Sequence, residues 1–199
     1  MEEINCSVEQ ISRYGDISMI IAIAGLTGSG KNTLGEQLAQ ALGFRLVCPT
    51  FKDLAKKEGV SLMEFQKRAE KDQNIDKKFD AELKAQAKGN CIVTTWLGPW
   101  MVPAVVRIYV FAPVDVRAER VAKRDGITVA QAKKHIKERD EENHARYLKL
   151  YSIDIYDTSN FDLCISSGKF SKEEMLELAL QAIKIRKSTL QINTVPASW

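Results

Sequence analysis

The chain has 199 residues, 45% of them hydrophobic and 28% charged, with a formal net charge of +3, as in an ordinary single globular domain. Lys and Arg are mixed with Asp and Glu rather than clustered, which argues against a nucleic-acid-binding surface. No apolar run reaches the ~18–20 residues of a membrane span, and the acidic start, Met1-Glu2-Glu3, is unlike a signal peptide. The cysteines are scattered without a C-x-x-C pair, so we expect reduced thiols and a cytoplasmic protein.

Short apolar runs that predict strands alternate along the chain with amphipathic segments that predict helices. The first run, 18–24, is rich in Ile and ends at a glycine, as buried parallel strands do. Further strands are predicted at 46–48, 91–95, 107–111 and 162–166. Helices are predicted at 31–42, from Ser61, after Pro113 to near Gly126, from Thr128 towards Leu150, and from Ser171.

This alternation predicts the α/β fold class, with a five-stranded, mostly parallel sheet and helices on both faces. Residues 1–17 are polar and weakly patterned, and we interpret them as an N-terminal extension. The α/β domain is predicted to span 18–186. Residues 187–199 contain Pro196 and few periodic apolar residues, which favours a C-terminal tail.

A phosphate-binding loop is predicted where the first strand meets the first helix, because Gly-Leu-Thr-Gly-Ser-Gly-Lys at 25–31 satisfies G-x-x-x-x-G-K in that context. Glycines let backbone N–H groups surround phosphate oxygens, and the helix N-terminus adds a partial positive charge. Lys31 can reach the β- and γ-phosphates. The predicted ATP-binding residues are Gly25, Leu26, Thr27, Gly28, Ser29, Gly30, Lys31, Asn32 and Thr33.

Asn32 departs from this motif, because Ser or Thr usually stands there and offers a hydroxyl to Mg²⁺. An Asn side-chain oxygen can also ligate a hard cation. We therefore predict Asn32 as the Mg²⁺ ligand, with less efficient metal-assisted transfer than a hydroxyl supports.

Three further stretches share a pattern with one family of kinases. They are F-K-x-L-A-K-x-x-G-x-S-L-x-x-F at 51–65, V-R-A-E-R-x-A-x-R-x-G-I at 116–127, and E-R-D, R-Y and Y-x-I-D-I-x-D within 138–157. With the phosphate loop they resemble the archaeal-type cytidylate kinases, from about Met19 to Ile185. That family belongs to the P-loop nucleoside monophosphate kinases and phosphorylates CMP or dCMP from ATP with Mg²⁺, which is the activity that the resemblance implies.

The resemblance also implies a helical lid at about 117–150 that carries cations for the phosphates. The family's lid positions fall here on Arg120, Arg139 and Arg146, which we predict to be catalytic together with Lys31. The sequence assigns no role to Arg124. Guanidinium groups bind phosphate in two-point geometry. From the sequence pattern alone, a solvated helix face with ion pairs is the alternative, and we interpret Asp-Glu-Glu at 140–142 as such a face.

The departures from the family concentrate at the predicted acceptor site. Thr94-Thr95-Trp96 stands where the family has an acidic residue, a small residue and Arg, and Cys48-Pro49-Thr50 replaces its Gly-acidic turn. Lys52 replaces an Arg that binds the acceptor phosphate. Trp96 could offer a base a flat face, whereas packing is favoured for Trp100. The predicted acceptor-binding residues are Lys52, Trp96, Arg139 and Arg146.

Three hypotheses follow. The favoured one is a monomeric nucleoside monophosphate kinase that uses ATP and Mg²⁺ on a small-molecule nucleotide, with no nucleic-acid or membrane partner. The second keeps the ATP site and changes the acceptor, because the acceptor-side motifs are altered. The third is a nucleotide-binding regulatory or assembly factor with slow ATP hydrolysis, suggested by Asn32 and by the missing acidic residue after the third strand.

Overall fold

The strands assemble into one parallel sheet with the first strand at its centre. The structure is a computed structural model that describes residues 18–61, 64–65, 68–69, 72 and 74–194, with the backbone alone for Lys52 and 190–194. The strands are β1 (Ile20–Ala24), β2 (Arg45–Val47), β3 (Cys91–Thr94), β4 (Val106–Phe111) and β5 (Leu163–Ser166). Their order is β2-β3-β1-β4-β5, and every pairing is parallel. The predicted fold class is confirmed.

The helices follow the strands in the α/β pattern. They are α1 (Lys31–Leu42), α2 (Phe51–Lys57), α3 (Asn74–Gln86), α4 (Gly98–Met101), α5 (Val114–Asp125), α6 (Val129–Tyr151) and α7 (Lys172–Thr194). Two predicted signals are confirmed: α1 stops at Gly43, whose φ is 65°, and α6 opens with a capping box between Thr128 and Gln131.

Helices cover both faces of the sheet, because successive residues of β1 point to opposite sides and all are buried. Ile21 and Ile23 belong to a core cluster with Leu34 and Leu38 of α1 and with residues of α7. Ile20 and Ala22 belong to a second cluster with Leu83 of α3. The central strand therefore carries no polar face, which explains its continuous apolar sequence.

Parallel pairing brings the carboxyl ends of the central strands to one edge of the sheet. In the register, Ile23 lies beside Thr94 of β3 and beside Ile108 of β4. The phosphate loop after β1 and the altered 94–96 segment after β3 therefore meet at that edge, where ligands of open α/β sheets bind.

Some predictions need correction or fall outside the described residues. α7 continues to Thr194, past the predicted boundary at 186, because no Gly or Pro interrupts the helix before Pro196. Neither α3 nor α4 was predicted as a separate helix. The helix predicted from Ser61 falls largely on residues outside the described ranges, although the Glu64 N–H does donate to Ser61 Oγ at 3.1 Å. The extension at 1–17 and residues 195–199 also lie outside them.

Within the described part of the chain, no helix combines the length and the apolar character that a membrane crossing needs.

Candidate active site

The phosphate loop presents an open helix N-terminus at the carboxyl edge of the sheet. Gly30 occupies the N-cap position of α1 with φ 95°, no side chain caps the helix, and its first turn contains no acidic residue. The first backbone N–H groups of a helix have no partner within the helix. Together with the positive end of the helix dipole, they make this turn a binding site for an anion such as a phosphate group.

Two buried, oppositely charged residues hold the middle of this loop. The Thr27 N–H donates to Asp140 Oδ1 at 3.2 Å, and Arg117 Nη1 donates to the Thr27 carbonyl oxygen at 3.0 Å. Arg117 and Asp140 form an ion pair at 2.6 Å, with their side chains 9% and 6% exposed. The interpretation of Asp140 as part of a solvated face is therefore wrong, because its side of α6 packs against α5 and the loop.

Arg120 and Ser167 hold the next two carbonyl groups of the loop. The Ser167 hydroxyl donates to the Ser29 carbonyl oxygen at 2.6 Å, and Arg120 donates to Ser167 and, at 3.4 Å, to the Gly28 carbonyl oxygen. Gly28 has φ 76°, and a Cβ there would lie 2.9 Å from the Arg117 carbonyl oxygen, so only glycine fits. Side chains outside the loop thus bind the carbonyl oxygens of Thr27, Gly28 and Ser29, while the first N–H groups of α1 remain available for phosphate.

Lys31 projects from the first turn of α1 towards Trp96. The Lys31 Nζ lies 5.6 Å from the centre of the Trp96 ring, within cation–π range. Burial, and then the positive charge of Arg139, lower the pKa of Lys31 to about 8. The catalytic role of Arg139 stays a prediction.

On the acceptor side, an aromatic surface leads from Lys31 to a buried carboxylate. The rings of Trp96 and Tyr147 lie 6.4 Å apart. The Arg146 guanidinium lies 5.9 Å from the Tyr147 ring and 5.1 Å from the Phe51 ring, and it forms an ion pair with Asp76. The predicted phosphate ligand Arg146 is thus already engaged by a carboxylate from α3.

Asp76 and Asp80 are site residues that sequence reasoning missed. Both are buried, at 4% and 8% exposure, and Asp80 accepts a hydrogen bond from the Tyr151 hydroxyl. Burial raises the pKa of both carboxyl groups above the ordinary value. Their spacing of one helical turn, on one face of α3, is the signal that could have found them.

The altered segment after β3 is buried and packs closely against α1. Thr94 and Thr95 are 2% and 6% exposed, and their hydroxyl oxygens have no hydrogen-bond partner. Trp100 packs edge-on against Phe161 with ring centres 5.2 Å apart, so the packing interpretation of Trp100 agrees with the structure. Neutral hydroxyl groups thus occupy the position where the resembled family carries an acidic residue.

Comparison with known sequences identifies the family of this chain. A sequence model of the Cytidylate kinase-like family matches residues 20–169. This chain belongs to that family. It is 43% identical over 169 residues to the cytidylate kinase of Pyrococcus horikoshii, covering 83% of this chain and 88% of the relative. It is 37% identical over 172 residues to the cytidylate kinase of Methanobrevibacter smithii, covering 84% and 99%. The resemblance inferred from the motifs is confirmed.

Two solved structures with similar folds are kinases of other small molecules. The shikimate kinase of Acinetobacter baumannii, solved with shikimate, superposes with a TM-score of 0.59 at 17% identity, over 90% of this chain and 98% of that one. A gluconokinase from Sinorhizobium meliloti superposes with a TM-score of 0.57 at 15% identity, over 91% and 100%. At these identities the likeness shows the fold alone.

The structure brings most of the predicted site residues of this family member to one edge of the sheet. Lys31 lies beside Trp96, the charge of Arg139 acts on Lys31, Arg120 contacts the loop from outside, and Arg146 lies further along the aromatic surface. Asn32 is exposed in the first turn of α1. Arg124 forms an exposed ion pair with Asp125. The Lys52 side chain falls outside what the structure describes, so its predicted role stays a prediction.

The lowered pKa of Lys31 predicts a pH dependence of ATP binding. Because the free protein loses this proton as the pH rises through about 8, while bound phosphates require it, we expect the ATP dissociation constant to be flat below pH 7.5. Above pH 8 it should rise by up to about tenfold per pH unit. Calorimetric titration with ATP between pH 7 and 9.5 measures this directly.

Two variants test the assignment of that slope to Lys31. Lys31→Arg keeps its charge throughout the range, so its ATP dissociation constant should not rise. Cys48→Ser removes the thiol that also acts electrostatically on Lys31 and should leave the slope unchanged. A wild-type dissociation constant that stays flat to pH 9.5, or a slope lost in Cys48→Ser, contradicts the assignment.

Proposed function

We propose that this protein transfers the γ-phosphoryl group of ATP to a nucleoside monophosphate, with CMP or dCMP as the acceptor, giving ADP and the nucleoside diphosphate. The observation that carries the proposal is the arrangement around Lys31: an uncapped helix N-terminus on one side and an aromatic surface leading to Arg146 and Asp76 on the other. Membership of the Cytidylate kinase-like family supports it.

The two sides of Lys31 suit the two substrates. Phosphoryl transfer needs positioning and cations more than covalent chemistry, and the ATP phosphates bind at the N-terminus of α1. Trp96 and Tyr147 offer flat apolar faces to the acceptor, while Arg146 offers a guanidinium to its phosphate. Arg139 and Arg120 supply the remaining positive charge near the transferred group, as their predicted roles require.

Mg²⁺ is the cofactor that the family resemblance implies, and the residues here fit an ion that arrives with ATP. The unpartnered Thr94 and Thr95 hydroxyls and the exposed Asn32 amide are hard, neutral oxygen donors. Among the described residues, no three His, Cys, Asp or Glu side chains come together to hold a metal ion. Asn32 and the threonines would therefore hold an ion bound mainly by the nucleotide, whose charge it neutralises.

The proposed setting is the cytoplasm, with the protein acting as a monomer on freely diffusing nucleotides. The cysteines in the described part of the chain, Cys48, Cys91 and Cys164, are free thiols, which suits a reducing compartment.

The neutral segment at 94–96 favours one alternative, an ATP-binding factor with slow hydrolysis and no small acceptor. ADP release from ATP and Mg²⁺ separates the two, measured without acceptor and with CMP, dCMP, UMP, AMP, GMP or dTMP. We expect CMP or dCMP to raise ADP release at least about a hundredfold over the no-acceptor rate, because a site closed against water suppresses hydrolysis.

The other results of this assay are equally decisive. A strong signal with a different monophosphate keeps the kinase and changes the acceptor, and the 94–96 and 48–50 segments become the first places to explain it. A rate that no acceptor raises above background removes the kinase proposal and leaves the slow ATPase.

A further inference from the structure

The Arg117 and Asp140 side chains do more than join two helices, because both also form hydrogen bonds with the backbone of the phosphate loop. Beyond pairing with each other at 2.6 Å, the two side chains take up both backbone polar groups of Thr27, the N–H at 3.2 Å and the carbonyl oxygen at 3.0 Å. Thr27 is 113 residues from Asp140 along the chain. The contact therefore ties the phosphate loop to two distant helices at once.

The ion pair is buried, and burial limits what it can contribute to stability. Both side chains are buried, so neither charge has water to replace a lost partner. Buried ion pairs contribute little net stability compared with apolar residues of the same size. Stability alone therefore does not explain this ion pair. Its hydrogen bonds to the backbone of the phosphate loop do.

We propose that Arg117 and Asp140 are a positioning pair for ATP: they hold the phosphate loop in its binding conformation before the nucleotide arrives. They act through the backbone N–H and carbonyl groups of Thr27. This inference rests on ATP binding at the loop, which is part of the proposed function, but it does not depend on which acceptor is used.

The test compares two double variants, because single changes would leave one charge buried without a partner. Arg117→Met with Asp140→Leu replaces the pair by apolar side chains of similar size, a change that folded proteins tolerate. Asp115→Asn with Lys133→Gln removes an exposed ion pair at 2.5 Å that joins the same two helices, α5 and α6, without touching the loop. Calorimetric titration with ATP, thermal unfolding and steady-state kinetics are measured on both and on the wild type.

For Arg117→Met with Asp140→Leu we expect ATP to bind at least about tenfold more weakly, the scale on which small displacements of positioning groups act. The KM for the acceptor should change by less than about twofold, and thermal unfolding should stay cooperative near the wild-type temperature. The Asp115→Asn with Lys133→Gln protein should match the wild type in all three. Unchanged ATP affinity in a folded Arg117→Met, Asp140→Leu protein overturns the proposal.

Amide hydrogen exchange of the wild-type protein decides the case in which the apolar variant does not fold. Without nucleotide, the Thr27 N–H should exchange as slowly as amides of the buried strands, because Asp140 already accepts its hydrogen bond. Fast exchange at Thr27 contradicts the proposal. Wild-type protein that binds ATP but phosphorylates no acceptor would remove the proposed function and leave this pair standing.

Discussion

Replacement of Lys31 by alanine is expected to lower kcat/KM for ATP-dependent transfer by about 10²–10³-fold, the scale on which a single group that stabilises transition-state charge acts. The Lys31 ammonium extends from the first turn of α1, next to the helix N-terminus that we propose binds the phosphates. Arg139 lies close enough to lower its pKa. Without the ammonium, the charge that develops on the transferred group loses its nearest cation. Initial rates of ADP release with CMP measure the effect.

The design of this experiment separates a charge effect from damage to the fold. Lys31→Arg keeps the charge with a different shape and should recover part of the activity. Lys137→Ala removes an exposed lysine from α6 and should leave the rate within about twofold of the wild type. A Lys31→Ala protein with unchanged melting temperature and near-normal activity would show that the phosphate loop is not where transfer occurs.

The second large effect concerns Gly35, in the middle of α1. A Cβ at this position would lie 2.1 Å from Thr94 Cγ2, a distance at which one of the two segments must move. Thr94 is 2% exposed and belongs to the central part of the sheet, so it cannot yield easily. We expect Gly35→Ala to lower the free energy of unfolding by about 2–3 kcal/mol, measured by urea denaturation.

A double-mutant cycle shows whether the clash is the cause. Thr94→Ser removes Cγ2 but keeps the hydroxyl, and the next nearest atom to a Cβ at Gly35 is then Thr94 Cβ at 3.5 Å, an ordinary contact. In the Thr94→Ser protein, Gly35→Ala should therefore be neutral or stabilising by up to about 1 kcal/mol, since alanine favours helix more than glycine does. Additive changes in the two single variants would exclude the clash.

The phosphate loop could be predicted because everything it needs lies in one short stretch. The strand at 20–24, the glycine turn and the helix start at Lys31 are consecutive, and their conformations follow from local sterics and hydrogen bonding. Helix ends at Gly43, Gly126 and Thr128 were predictable for the same reason. The fold class followed from the alternation of such local signals along the chain.

The role of Asp140 could not be predicted in the same way, although a signal was present. It continues the buried stripe of Ala132 and Ile136 at intervals of one turn, just as Arg117 precedes Val121 on α5. In each helix the charged residue occupies an apolar position of the pattern. Its neighbours Glu141 and Glu142 are exposed, and they made the whole segment resemble a solvated surface.

By itself, then, the sequence determined the glycine-rich turn between the first strand and the first helix, the α/β alternation and, through its motifs, the kinase family. Only the tertiary structure decided which charges are buried and which partners they have: Asp140 with Arg117 and the loop, Asp76 with Arg146, Trp96 with Lys31. The reason is physical. Local conformation depends on neighbours along the chain, whereas the pairing of a buried charge depends on groups brought together by packing, here from 23 to 113 residues away.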